Sequence, residues 1–221
     1  MLESRPTAPL EDAEAFFAAV ADGDTRLVRA YLDEQPSLLA AYSQEGVRAP
    51  LVALYAGHCD LADELAGRSE PLDIHEASAF EDNGRLRDLL LEDITNATLW
   101  SVDGWQPLHL AARFGRTEAA RRLLDDDAPV DAVSRNALNC TPLYAAASGG
   151  HAEIVWLLIA SGADVDAVAE GGCVPLHAAA VKGDAESVRA LLSAGATRDT
   201  VNDAGQTPLD LAAPGVRELL R

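Results

Sequence analysis

The chain has 221 residues, of which 48% are hydrophobic and only 5% aromatic. This composition suits short, closely packed helices around a sizeable core better than a β-sandwich. Its 17 basic and 36 acidic residues give a net charge of −19. Such a charge repels nucleic-acid phosphates and anionic lipids, so we expect no binding to nucleic acid or to a membrane, and we expect any partner surface to be basic.

The amino-terminal sequence contains no recognisable targeting signal. MLESRPTAPL is polar, and the first apolar run, from Ala15 to Ala21, falls far short of the ~20 apolar residues of a membrane span. The cysteines Cys59, Cys140 and Cys173 are too few and too scattered for a disulfide framework. We therefore expect a cytoplasmic protein with reduced thiols.

The sequence up to Glu70 predicts two helical units that differ from those that follow. Residues 12–45 show a helix–glycine–helix rhythm with charged outer positions, as expected of an amino-terminal cap. Residues 46–70 contain RAPLVALYAGHCDLADELAG, a short unit that runs into Pro71 without room for a full connecting turn.

The rest of the chain repeats one pattern at a nearly constant interval. QPLHLAARFGRTEAARRLL at 106 matches TPLYAAASGGHAEIVWLLI at 141, VPLHAAAVKGDAESVRALL at 174 and TPLDLAAPGVRELLR at 207. The interval from His75 to His109 extends the same register upstream of these segments. A fixed period of about 33 residues indicates a repeat architecture.

Each unit predicts two short helices. Proline suits the first helical turn, and a glycine such as Gly150 ends the first helix. The second helix ends at a glycine–alanine stop such as Gly162-Ala163, where glycine can adopt the left-handed conformation. Because no unit can bury its apolar face alone, the units must stack into one all-α domain spanning residues 1–221. Its remaining units are 71–103, 104–138, 139–171, 172–204 and a carboxy-terminal cap at 205–221.

These units resemble the ankyrin repeat, which reads D-x-x-G-x-T-P-L-H-x-A-A-x-x-G-H, with a second helix ending L-L-x-x-G-A. The segment SRNALN before Thr141 looks like ankyrin proteins of bacteria. The resemblance implies a solenoid of paired antiparallel helices with short β-hairpin fingers, and binding to other proteins as its activity. The interval from Pro107 to Pro142 is longer than the later ones, which places two extra residues in the finger around Arg135 to Asn139. We expect this longer finger to protrude.

The histidines recur too regularly to indicate catalysis. The resemblance implies that the histidine of each repeat braces the turn at the start of that repeat's first helix. We assign structural roles to the histidines and prolines at these turns: His75, His109, His177, Pro107, Pro142, Pro175 and Pro208. Motifs for nucleophilic catalysis and phosphate binding are missing from the sequence, and His58-Cys59 stands alone as a possible pair of metal ligands. We therefore expect no enzymatic activity, no metal and no cofactor.

In the ankyrin domains that this chain resembles, partners contact the finger tips and the outer part of the first helix. Carried over by register, the candidate partner-binding residues are Phe80, Trp105, Arg113, Phe114, Leu138, Cys140, Cys173, Val181 and Lys182. Two phenylalanines aligned in adjacent units beside a tryptophan form a plausible apolar patch. The alternative is that these rings fill gaps between the layers. The two cysteines occupy the same finger position, where we expect free thiols on the binding edge.

Two other features leave alternatives open. Trp156 takes a second-helix position that Arg121 and Arg189 hold in the neighbouring units, so it either makes cation–π contacts or is an exposed hot spot. The acidic run Asp125–Asp127 ends a second helix and is either a solvated face or a hook for a basic partner. We expect a non-catalytic protein-interaction module. The alternative is an acidic regulatory inhibitor that occupies a basic cleft of an enzyme or a nucleic-acid-binding protein.

Overall fold

A computed structural model of the chain describes residues 10–69 and 71–221, and helices dominate this part of the chain. Short 3₁₀ helices cover Pro36–Ala40, Ile94–Thr98, Glu170–Gly172 and Pro214–Leu219. The α-helices are α1 (Leu10–Asp22), α2 (Thr25–Glu34), α3 (Ala49–Tyr55), α4 (Cys59–Arg68), α5 (Ile74–Ala79), α6 (Asn83–Glu92), α7 (Pro107–Arg113), α8 (Thr117–Asp125), α9 (Pro142–Gly149), α10 (Ala152–Ala160), α11 (Pro175–Lys182), α12 (Ala185–Ser193) and α13 (Pro208–Leu211). The chain divides into two compact units after Glu76.

In the amino-terminal unit, α1 packs on α2 and α3, and α3 packs on α4. Phe16 and Leu32 are buried in its core. Asp24 caps α2 by accepting the backbone N–H of Leu27. The imidazole of His58 lies over Gly23 and forms a 2.9 Å hydrogen bond from Nε2 to the carbonyl oxygen of Ala21. This unit therefore has the paired helices that the sequence predicts before Glu70.

In the unit comprising residues 77–221, the helices stack in two layers. The first helices α7, α9, α11 and α13 pack on one another in that order, and the second helices α6, α8, α10 and α12 do the same. The proline that begins each first helix is followed by a leucine, and Leu108, Leu143 and Leu176 are fully buried. Paired alanines let neighbouring helices approach closely. The structure confirms the all-α stack of helix pairs.

The turns between these helix pairs are hairpin fingers, which we define as residues 101–105, 134–140, 169–173 and 202–206. In each finger the backbone N–H of the first residue donates to the carbonyl oxygen of the last, at 2.7–3.0 Å. The second finger is two residues longer than the others, so the extra residues lie at 135–139, as the spacing of the prolines predicts. Among the described residues, the sole β pairing is one antiparallel bridge between Tyr42 and Arg48, so these fingers are hydrogen-bonded turns rather than strands.

Neighbouring fingers are joined by backbone hydrogen bonds. The N–H of Arg135 donates to the carbonyl of Gly104 at 2.8 Å, that of Glu170 to Leu138 at 2.9 Å, and that of Asp203 to Gly171 at 2.9 Å. The four fingers therefore form one continuous row along residues 77–221.

Three non-glycine residues occupy left-handed backbone positions where the repeat calls for glycine, one of them Asn139, with φ +42° at the finger position of Gly172. Glu81 has φ +56° at the end of α5, and Asp127 has φ +60° at the position of Gly162, whose φ is +89°. The Glu81 carboxylate accepts the N–H of Glu118 in the first turn of α8. This capping hydrogen bond offsets part of the backbone strain at Glu81 and accounts for a glutamate at that position.

We expect Gly104→Ala to destabilise the chain far more than Gly205→Ala, although both glycines hold the fourth position of a finger with a strongly positive φ. A Cβ atom at Gly104 would lie 2.6 Å from the backbone carbon of Arg135, whereas one at Gly205 would meet nothing within 4 Å. Gly205→Ala should cost about 1 kcal/mol through its backbone alone. Gly104→Ala should cost a further ~1–3 kcal/mol, because adjacent fingers must separate. Urea denaturation measures both, and equal costs would contradict the close approach of the fingers.

Candidate protein-binding surface

His109 and His177 each join a helix pair to the next finger. His109 is fully buried; its Nδ1 accepts the backbone N–H of Gln106 at 3.4 Å, and its Nε2 donates to the carbonyl of Cys140 at 3.1 Å. His177 repeats the arrangement, with Nδ1 accepting from Val174 at 3.2 Å and Nε2 donating to the carbonyl of Gln206 at 3.0 Å. Each imidazole thus links its own helix start to the last residue of the following finger.

These contacts require a neutral imidazole. A carbonyl oxygen can only accept and a backbone N–H can only donate, so Nε2 of His109 carries the proton and Nδ1 does not. Burial lowers the pKa of His109 to about 4, while its hydrogen bonds to the carbonyl groups of Cys140 and Ala132 oppose that shift. Because both nitrogens are engaged and no solvent reaches the ring, His109 is not placed to act as a general base.

The other structural residues lie at helix starts. Pro107, Pro142, Pro175 and Pro208 each occupy the first turn of a first helix, where the missing N–H costs nothing. His75 is buried near the start of α5, and the Asp73 carboxylate accepts its backbone N–H at 2.9 Å. That helix start is built differently from those at His109 and His177.

A second set of side chains joins the helix pairs, and sequence reasoning missed it. The Arg116 guanidinium donates to the carbonyl of Ala79 at 2.7 Å, and Nε2 of His151 bonds the carbonyl of Arg113 at 3.0 Å. Both side chains directly follow the glycine that ends a first helix. The glycine–histidine pair that ends the ankyrin motif was the sequence signal from which these contacts could have been predicted.

The predicted aromatic patch is partly buried. Trp105 is only 6% exposed, with its ring centre 5.7 Å from that of His109, so the expectation that it anchors a partner is corrected by its burial. Arg113 covers this cluster, with its guanidinium carbon 5.7 Å from the Trp105 ring centre and 5.8 Å from that of Phe114. Phe80 and Phe114 are half-buried. The indole of Trp105 packs against His109 and Arg113 of its own unit, so it is not free to anchor a partner.

The two finger cysteines differ in access to solvent. Cys140 is 1% exposed, and burial raises the pKa of its thiol, so it does not lie on a binding edge as the sequence suggested. Cys173 is half-buried at the end of the next finger. In the second finger the Ser134 hydroxyl accepts the backbone N–H of Cys140 and lies against its sulfur.

A groove brings several of the remaining predicted residues together. It has a volume of about 170 Å³ and lies between α9, α11 and the end of the third finger. Its walls include Cys173, Val181 and Lys182 from the predicted set, and Val181 is 58% exposed. The other lining residues are Tyr144, Ser148, His177, Ala178 and Leu211. The groove therefore offers an accessible apolar wall beside a single ammonium group.

Two exposed side chains lie apart from this groove. Leu138 is exposed at the tip of the longer finger, and Trp156 is exposed on α10. The arginines expected to stack on Trp156 instead form ion pairs on their own helices, Arg121 with Glu118 and Arg189 with Glu186. Trp156 is consequently a solvent-facing indole.

The amino-terminal unit contains a buried carboxylate and a separate cavity. Glu76 accepts from Arg48 and from the backbone N–H of Asp73, and burial together with the charge of Asp73 raises its pKa to about 7. A cavity of about 250 Å³ is lined by residues of α1 and of the loop before α3, including Phe17, Tyr42 and Glu45. Neither feature was visible in the sequence pattern.

Residues 10–69 and 71–221 contain no candidate metal cluster and no candidate membrane span. Within those ranges, no cluster of three or more histidine, cysteine or acidic side chains could hold a metal ion. No helix in the same part of the chain has the length and apolar character needed to cross a bilayer.

The family of the chain follows from its stacked helix pairs, its fingers and its family matches. A family model of ankyrin repeats in three copies matches residues 74–169, and a single ankyrin repeat matches residues 171–203. Together these matches cover more than half of the chain. The chain belongs to the ankyrin-repeat family, whose repeats are generally protein–protein interaction modules and generally non-catalytic.

Similar proteins share the repeats over short stretches. The chain is 34% identical over 97 residues to a transient receptor potential cation channel subfamily A member 1 homolog of Caenorhabditis elegans, covering 44% of this chain and 8% of that protein. It is 41% identical over 66 residues to alpha-latrocrustotoxin-Lt1a of Latrodectus tredecimguttatus, which covers 30% of this chain and 5% of that protein. It is 37% identical over 98 residues to the probable E3 ubiquitin-protein ligase XBOS31 of Oryza sativa subsp. japonica, which covers 44% of this chain and 22% of that protein. The chain thus spans about a fifth or less of these curated relatives, and their animal and plant origins give no support to a bacterial type.

We expect the stability advantage of wild type over His109→Leu to shrink as the pH falls. The folded-state pKa of about 4 lies below the ordinary value of 6.5, so the unfolded chain binds the proton first. The stabilisation is complete above pH 6.5 and is lost as the pH falls toward 4. Between pH 7 and pH 5 the difference in free energy of unfolding should fall by on the order of 2 kcal/mol. Urea denaturation of both proteins measures this, and a constant difference would refute the neutral buried imidazole.

Proposed function

We propose that this chain is a non-catalytic protein-interaction module, which holds a partner protein on the fingers and first helices of residues 77–221. The groove beside Val181 carries the proposal. It combines an accessible apolar wall with a half-buried thiol and the ammonium group of Lys182. Apolar contact area with a few placed polar groups is what a protein partner requires for stable docking.

The geometry of the histidines supports a role without catalysis. His109 and His177 have both ring nitrogens committed to backbone groups. A catalytic site needs a nucleophile, a base and an orienting group that converge where a substrate can reach them. The repeated polar groups here converge on the backbone of the next finger instead.

The cellular location of the chain is also a proposal. The described cysteines are free thiols, at Cys59, Cys140 and Cys173. We propose that the chain works in a reducing compartment, the cytoplasm, because free thiols persist there.

A second candidate function is an acidic regulatory inhibitor that occupies a basic cleft, and the net charge of −19 favours it. The two candidates differ in salt dependence. Raising the salt from 0.1 M to 1 M shortens the screening length from about 10 Å to about 3 Å. A groove-bound partner should keep its affinity within tenfold over that range, and a partner held by charge alone should lose more than a hundredfold.

We expect Val181→Arg to abolish capture of the partner, because a long cation would fill the groove and repel a basic surface. Trp156→Arg is the matched control, since it introduces the same residue at another exposed apolar position. Affinity capture from a lysate, quantified by mass spectrometry, should show a protein retained by wild type and Trp156→Arg and lost at least tenfold by Val181→Arg. Both variants should first show the wild-type melting temperature. Equal capture by all three proteins would exclude the groove as the binding site.

A further inference from the structure

Exposed valines mark the same position before three successive fingers. Val133, Val168 and Val201 each directly precede the first residue of a finger, and they are 51%, 63% and 56% exposed. Trp100 holds the equivalent position before the first finger. A single exposed valine needs no explanation, but one at every later finger forms a row of apolar side chains along one edge of residues 77–221. We call these three residues the valine row.

The spacing of the valine row follows from the fingers. Each finger is a hairpin with two arms, and adjacent fingers are joined by backbone hydrogen bonds of 2.8–2.9 Å. Hydrogen-bonded backbone segments lie about 4.8 Å apart, so equivalent positions on neighbouring fingers are separated by about 10 Å. The row therefore presents one apolar side chain about every 10 Å.

Carboxylates border the row on both sides. Asp131, Asp166 and Asp199 each lie two positions before a valine. Glu170 and Asp203 each lie two positions after one. Asp131 accepts the backbone N–H of Asp164, and Asp166 accepts that of Thr197. The row is thus an apolar strip bordered mostly by acidic residues, with Arg135 at the equivalent position after Val133.

Ion pairs within the described part of the chain do not neutralise this negative charge. Among the described residues from 77 to 221, every ion pair lies on a helix or at a chain or helix end: Arg85–Glu92, Arg87–Asp88, Arg121–Glu118, Arg122–Asp126, Arg189–Glu186 and Arg221–Glu218. Two arginines lie beside the row in sequence. Arg135 stacks 4.2 Å from the ring centre of Trp100, and Arg198 donates to the carbonyls of Leu219 and Arg221. The bordering carboxylates accept hydrogen bonds such as that from Asn139 to Glu170, but no ion pair among the described residues engages them.

We propose that the valine row is a docking surface for a basic amphipathic helix of a partner protein. A helix rises about 1.5 Å per residue, so side chains one heptad apart are separated by about 10.5 Å and match successive valines. Lysines or arginines on either side of that apolar stripe would meet the bordering carboxylates. The inference rests on the proposed interaction function, but it uses residues outside the groove at Val181 and assigns a chemical class to the partner.

The probe is a synthetic peptide of about three heptads, made of alanine and lysine with leucine at every seventh position. A scrambled peptide of the same composition breaks the leucine spacing, and a third peptide replaces lysine by glutamate. Isothermal calorimetry with the full chain should show binding of the first peptide, at least tenfold weaker binding of the scrambled one, and none of the acidic one. Equal affinity for the regular and scrambled peptides would overturn the proposal, because charge alone would then suffice.

Matched triple variants locate the binding surface. Val133→Ser/Val168→Ser/Val201→Ser should weaken binding of the leucine–lysine peptide at least tenfold. Leu91→Ser/Ile94→Ser/Trp156→Ser removes three exposed apolar side chains that lie outside both proposed surfaces, and it should change the affinity less than twofold. Unchanged affinity in the first triple variant would overturn the proposal. If that variant does not fold, Val168→Lys alone should weaken binding at least tenfold by charge repulsion, and unchanged affinity there would also overturn it.

The two experiments test the valine row and the groove beside Val181 separately, so either proposal can fail while the other holds. Peptide binding lost with the valine row, together with equal capture of the natural partner by wild type and Val181→Arg, would support the row and exclude the groove. Lysate capture that depends on Val181, with no binding of the leucine–lysine peptide, would exclude the row and leave the groove as the proposed site.

Discussion

The hydrogen bond from a buried imidazole to the last carbonyl of the next finger is the contact on which the repeats depend. His109 makes it to Cys140 and His177 makes it to Gln206. The same rings accept a backbone N–H at the start of their own helix, so one side chain fixes both the helix start and the neighbouring finger. An unpaired carbonyl or imidazole in this buried position would cost more than the hydrogen bond gains, which makes the arrangement specific.

The surfaces of the chain follow from this constraint. The second and fourth fingers are tied by a histidine to the helix pair before them, and all four fingers are joined by backbone hydrogen bonds, so the fingers hold their side chains at a fixed spacing. The bracing histidines are buried, and what remains accessible includes the groove beside Val181 and the valine row. A braced row of loops can present apolar and acidic groups to another protein without losing much conformational entropy on binding.

Much of this structure could be predicted from the sequence because the repeat fixes the register. The period placed His109 at the helix start and located the two extra residues at 135–139. The repeat register assigns a residue to a face of the helix pair or finger, but it says little about how far the side chain is buried from solvent. Trp105 and Cys140 were therefore placed on the binding edge, although Arg113 covers Trp105 and both side chains are buried. The valine row was missed for a related reason, since a single valine before a turn carries no signal until the fingers are seen side by side.

Amide hydrogen exchange at Arg135, Glu170 and Asp203 reports how firmly neighbouring fingers are held together. These amides lie at the surface, yet each donates to the carbonyl of the previous finger. The account predicts slow exchange at all three in wild type. In His177→Leu, which removes the bond to Gln206, exchange should accelerate at Asp203 while Arg135 remains protected. Fast exchange at all three in wild type, or an equal response at Arg135 and Asp203, would contradict the separate bracing of the second and fourth fingers by His109 and His177.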